Sequence, residues 1–162
     1  MCTLLYMKYF TDSVEDELNA DKSAYMLATC TCLNLRKASR AITQMFDEAL
    51  KPSGLRSTQL PVLATLVSSG QTTVNRLADD LVMDRTSLSR LLQPLVTQAL
   101  VKMAPGEDRR TRDLSITPLG RESVAAAIPM WVSVQDEVYE RLGQSRWRDL
   151  IENLAVAAAL TA

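Results

Sequence analysis

A mainly α-helical chain carrying one small β-hairpin is what these 162 residues predict. Three observations lead there. Ala and Leu are abundant while only 5% of the chain is aromatic, a balance that favours helix. Apolar residues recur at three-and-four spacing over most of the length, the period of a helix with one buried face. The departure is a pair of short extended runs, "LVKMA" (100–104) and "RDLSIT" (112–117), with a charged tip between them. The length suits one domain, or one domain with an added oligomerisation element.

The elements follow in order. Residues 21–50 read as one long helix with Asp21 as N-cap; Cys32, Leu35, Ala38, Ile42, Met45 and Ala49 form its stripe. At about 30 residues such a helix is about 45 Å long, more than a domain of this size needs for its own core. Two explanations are open: simply a long helix, or packing of part of it against a second subunit. "KPSG" (51–54) stops it. A helix over 58–68 follows, capped by Ser57 or Thr58, with Pro61 in its first turn, where a missing N–H does no harm. "SSGQTT" (68–73) reads as a turn.

Next come two short helices, 74–81 and 84–99, joined by a tight turn, the helix-turn-helix arrangement. Asp84 caps the second. Leu88, Leu91, Leu92, Leu95 and Val96 make its apolar face; Arg85, Thr86, Ser87, Ser89, Arg90 and Gln93 make the other. Small hydroxyls let a backbone approach a major groove, and arginine reaches base edges or phosphates. Pro94 removes a bond inside this helix and should bend it. The hairpin follows at once, and a helix-turn-helix followed by such a hairpin is a winged helix. Thr117-Pro118 then starts a long helix to Gly143, with a bend expected at Pro129. Its stripe is Val124, Ala127, Trp131, Val134, Val138 and Leu142. A last helix, capped by Ser145, carries Trp147, Leu150, Ile151, Leu154 and Ala158. These C-terminal helices are more apolar than one face of a small domain requires, which points to a homodimer, with ordinary core packing as the alternative. The organisation expected is a helical dimerisation region from 21–56 and 118–162, a winged helix-turn-helix over 57–117, and a flexible segment over 1–20.

Composition excludes several function classes. There is no histidine, the commonest general base and metal ligand. Three cysteines, Cys2, Cys30 and Cys32, make no disulfide framework, and Cys-x-Cys without histidine is a poor zinc signature. No P-loop or Gly-rich dinucleotide turn is present. The expectation is therefore no enzyme, no metal and no cofactor. No apolar run reaches the ~18 residues of a membrane span, and "MCTLLYMKYF" is too short and irregular for a signal peptide, so a cytoplasmic protein is expected. Net charge is −1 overall, but residues 70–120 hold seven basic and six acidic groups and are net positive by one.

With the motifs in place, the chain resembles the MarR family of transcriptional regulators. The residues carrying this are "NRLADDLVMDRTSLSRLLQPLVTQALV" (75–101) and "APGEDRRTRDLSITPLGRE" (104–122), with Asp108-x-Arg110 in the wing and Ile116-Thr117-Pro118-Leu119-Gly120 after it. "KASRAITQMFDEALKPSGLRSTQLPVL" (37–63) adds to it. The resemblance implies a homodimeric repressor of near-palindromic double-stranded DNA, relieved by a small-molecule effector or an oxidant. It implies that Thr86, Ser87, Ser89 and Arg90, beside Arg85, face the major groove. Arg110 would enter the minor groove, whose negative potential suits arginine, and Asp108 would orient it. Arg109 and Arg112 are candidates for phosphate contact and equally for plain solvation.

The family's effector pocket lies between its two regions, where Met45, Phe46, Leu60, Met130 and Trp131 are candidate lining residues and equally plain core candidates. Cys32 falls where the hydroperoxide-sensing branch of the family carries its reactive cysteine. The positions holding that thiolate by tyrosine are Arg36, Phe46 and Ser57 here. Its place on the stripe instead suggests a small buried apolar residue. Cys30, two residues away, points about 200° from it on a helix and cannot easily bridge it within one chain. Two alternatives stand beside the ligand-responsive repressor: an oxidant sensor using Cys32, and a winged-helix module for protein contact without DNA binding.

Overall fold

The structure is a computed structural model and describes residues 20–106 and 111–161. The chain divides into two compact units, Met1–Ile42 and Thr43–Ala162. The expected 21–50 helix is two helices, α1 (Ala20–Thr29) and α2 (Thr31–Leu50), interrupted at Cys30. The cause is local. The Cys30 thiol accepts the Leu33 amide at 3.4 Å, as a cap would, and the Asn34 side chain donates to the Ala28 and Cys30 carbonyls, both at 3.0 Å. Side-chain groups thus take up backbone partners at the junction. In the first unit Met26, Leu27, Leu35 and Ile42 are exposed. The expectation for residues 1–19 lies outside the described residues.

The second unit holds the core. After α2 and a short 3-10 turn (Lys51–Ser53) come α3 (Leu60–Ser69), α4 (Val74–Asp80), α5 (Arg85–Thr97), α6 (Pro118–Leu142) and α7 (Gln144–Ala158). The sheet has three strands in the order β1-β3-β2, all antiparallel: β1 (Thr72–Thr73), β2 (Val101–Pro105) and β3 (Arg112–Ile116). The hairpin is as expected, with Met103 opposite Leu114. β1 is a correction, because "SSGQTT" supplies a third strand: Thr72 and Thr73 pair with Leu114 and Asp113, some forty residues away. The leucines of α3, α4 and α5 close over this sheet; Leu63, Leu66, Leu77, Leu88, Leu95 and Leu114 are fully buried. Burial of each contributes about 1.5–3 kcal/mol.

The start of α3 is a second correction. Neither Ser57 nor Thr58 caps it; Gln59 occupies the N-cap position without a side-chain bond to the helix, because its Oε1 accepts the Arg56 amide at 2.9 Å. The Ser57 amide is drawn instead to Asp47, ten residues back, at 2.7 Å. At α7 the expected Ser145 cap is absent, and Gly143 takes that position without a side-chain bond. Asp84 and Thr117 cap as expected, accepting the Ser87 and Gly120 amides. Both α5 and α6 continue through their internal prolines, Pro94 and Pro129.

α4 and α5 end alike. In each a backbone amide reaches five residues back, Met83 to Ala78 at 2.8 Å and Leu100 to Leu95 at 2.9 Å. This closure needs a left-handed residue, usually glycine. Here those residues are Val82 (φ 52°) and Ala99 (φ 56°). A left-handed L-residue costs about 1–2 kcal/mol, while glycine returns about 0.4–1 kcal/mol of that through unfolded-state entropy. Val82→Gly should therefore raise stability by roughly 0.5–1 kcal/mol, read as a higher denaturant midpoint at unchanged slope. A lower midpoint would mean that the Val82 side chain stabilises the turn by more than its strain.

Candidate nucleic-acid interface

The interface is built on α5. Leu88, Leu92 and Leu95 face the core, with Leu91 and Val96 half-buried beside them. That anchoring turns the polar stripe outward: Arg85, Thr86, Ser89, Arg90 and Gln93 are exposed, and Ser87 is half-buried. Asp84 shapes the first turn by accepting the Ser87 amide at 2.9 Å. The Ser87 side chain and amide hold the Asp84 carboxyl below the ordinary aspartate range. α4 packs against α5 across the Leu81–Asp84 turn and leaves Arg76 exposed, a basic residue that periodicity alone did not single out.

The wing is anchored at its base. Thr117 donates to the Ala99 carbonyl at 2.7 Å and the Leu100 carbonyl at 3.1 Å, and accepts the Gly120 amide at 3.0 Å. One threonine thereby joins the end of α5, the start of β2 and the start of α6. Gly120 is buried against the Leu100 carbonyl, which a β-carbon there would overlap. The Thr-x-x-Gly spacing has this physical meaning: a cap, and one turn later a residue without a side chain. Toward the tip, Gln71 donates to Asp113 at 2.9 Å and Gly106 donates to the Thr111 carbonyl at 3.1 Å. Arg112 is exposed, paired in register with Pro105. The expected tip residues Asp108, Arg109 and Arg110 lie outside the described residues.

The candidate pocket residues share the second unit in different settings. Leu60 is core, Met130 packs against the core, Met45 and Phe46 are half-buried, and Trp131 is 41% exposed rather than inward on the α6 stripe. Val124, Ala127, Val134 and Val138 supply that stripe's buried side. Within one chain Cys30 is half-buried and Cys32 exposed, so Cys32 is no part of that chain's own core. The reason is that α2 buries only Leu50, at its far end. Among the described residues no cluster of metal-ligating side chains occurs, and no helix is long and apolar enough to cross a membrane.

Acid stability follows from two carboxylates. The Ser57 hydroxyl beside it, which closes no bond of ordinary geometry, and then the Ser57 amide hold the Asp47 carboxyl below the ordinary aspartate value of 3.8. Asp84 is lowered likewise. A carboxyl with a depressed folded pKa stabilises above its unfolded pKa and loses that contribution as pH falls through the folded value. The melting temperature should thus fall as pH drops below about 4. Asp47→Asn should flatten part of that fall; an unchanged acid limb would remove Asp47 from the account.

No family model and no curated protein matches the chain. Solved structures do. The transcriptional regulator MosR of M. tuberculosis, in complex with DNA, is 37% identical, with a TM-score of 0.71 over 80% of this chain and 96% of that one. A MarR mutant from E. coli, complexed with operator DNA, shares the fold at 18% identity and TM-score 0.73, over 82% of this chain and 96% of that one. The chain belongs to the MarR family of transcriptional regulators. A further MarR-type fold match is the transcriptional repressor CouR bound to a 23-mer DNA duplex, 24% identical, TM-score 0.74, over 88% of this chain and 99% of that one. Membership in the MarR family agrees with the fold expected from sequence, mainly helical with a small winged sheet.

Proposed function

We propose that this MarR-family chain is a homodimeric, sequence-specific DNA-binding regulator that represses transcription until a small molecule binds. The observation that carries the reading is the outward polar face of α5, Arg85, Thr86, Ser89, Arg90 and Gln93, on a capped helix anchored by buried leucines. In this reading α5 enters the major groove, Ser87 supports its first turn, and the wing, with Asp108, Arg109, Arg110 and Arg112, reaches the flanking backbone and minor groove. Residues 57–117 form the DNA-binding part. Residues 21–56 and 118–162 form the dimerisation part, supported by the exposed Leu150, Ile151 and Leu154 along one side of α7. Two copies related by a two-fold axis match a near-palindromic operator. The effector is assigned to the neighbourhood of Met45, Phe46, Leu60, Met130 and Trp131.

Fluorescence anisotropy with duplex DNA from upstream of the coding region tests this. Binding should weaken steeply as salt rises, because phosphate contacts release counterions. Salt-independent binding, or none, would sink the proposal and favour a protein-contact module. A second reading has one observation behind it: Cys32 is exposed and therefore within reach of an oxidant. If Cys32 is the sensor, Cys32→Ser binds DNA normally but is no longer released by hydroperoxide. Release that persists in the variant rules Cys32 out.

A further inference from the structure

A cleft of about 430 Å³ lies between the loop that precedes α3 and one edge of α5. Arg56, Thr58 and Gln59 border it on the loop side, and Arg90, Leu91 and Pro94 on the helix side. Its residues include two arginines and no acid. Among the described residues neither arginine closes an ion pair. Asp47 feels the Arg56 charge, but its carboxylate is engaged by the Ser57 amide. We propose that this cleft is an oxoanion site, with Arg56 and Arg90 as its two cationic walls.

Two guanidinium groups bordering one cleft repel each other unless an anion lies between them. Guanidinium also matches phosphate and carboxylate oxygens through paired N–H donors. The loop side is held in place. Gly54 takes a left-handed φ of 72° and donates to the Lys51 carbonyl, Leu55 is buried, and the Arg56 amide is held by Gln59, itself only 7% exposed. A preformed frame loses little freedom on binding. The size falls within the ~300–1,000 Å³ of small-molecule sites, and Leu91 and Pro94 give part of the wall an apolar surface. The anion has two available sources: a backbone phosphate of duplex DNA lying along α5, or the anionic group of a small organic solute. Only the first rests on the proposed function.

The test uses the full chain and has two arms. In the first, phenyl phosphate is titrated into the protein without DNA, with phenol as the neutral control. Binding that excludes phenol and weakens about tenfold in Arg56→Gln assigns the site to a free solute. In the second, the protein is titrated with a nonspecific duplex at several salt concentrations. A several-fold affinity loss in Arg56→Gln, with the salt slope reduced by about one, assigns it to a backbone phosphate. Arg56→Lys should recover part of the affinity in whichever arm responds, and unchanged melting temperatures exclude misfolding. If wild-type protein binds no duplex at all, the proposed function fails while the first arm still decides the site. Arg56→Gln behaving like wild type in both arms overturns the proposal.

Discussion

Gly120→Ala is expected to destabilise the protein by about 2 kcal/mol, reversing the usual sign of that change in a helix. In an open helix interior, glycine to alanine gains about 1 kcal/mol. At Gly120 the added β-carbon overlaps the Leu100 carbonyl oxygen and lies 2.8 Å from the Ile116 side chain. The obstacle is backbone, which cannot swing aside as the end of a side chain can. Overpacking of this kind costs about 1–3 kcal/mol, and here α6 must also lift from the Thr117 hydroxyl that accepts the Gly120 amide at 3.0 Å. The net effect should lower the melting temperature by roughly 4–8 °C in a chain of this size. A melting temperature at or above that of the unmodified protein would show that the α6 start tolerates a side chain, and would remove the close-approach explanation of the Thr-x-x-Gly motif.

Arg110→Ala is expected to weaken binding to upstream DNA by about 1–3 kcal/mol, roughly five- to 150-fold, with folding unaffected. The hairpin carries its register from Val101–Ile116 at the base to Pro105–Arg112 near the tip. Arg110 falls between these strands in the sequence, outside the described residues. Arginine at such a tip suits the negative potential of a narrow minor groove. Asp108→Ala should weaken binding in the same direction if its carboxylate holds the guanidinium. Unchanged affinity in Arg110→Ala would place the wing off the DNA, leaving α5 as the reading element.

Much of this architecture was legible before any coordinates. The α5 face could be assigned residue by residue, because a 3.6-residue period with leucines at 88, 92 and 95 leaves the intervening polar positions outside. The caps Asp84 and Thr117 were readable because each bonds an amide only three residues on. The break at Cys30 is equally local but carries no recognisable sequence signal, since a thiol accepting an amide is not among the usual caps.

The sequence by itself determined the helices of the second unit, the hairpin, the outward stripe of α5 and the motif carrying the family resemblance. These rest on short-range hydrogen bonds and on which side of one element is apolar. Tertiary structure alone decided that Thr72 and Thr73 become a strand, because their partners Leu114 and Asp113 are brought to them only by folding. It decided that Ser57 serves Asp47 instead of capping α3, through a contact spanning ten residues. It also placed Arg56 and Arg90 on one cleft. Neither arginine carries a local signal of the other, since their meeting depends on how the loop before α3 packs beside α5.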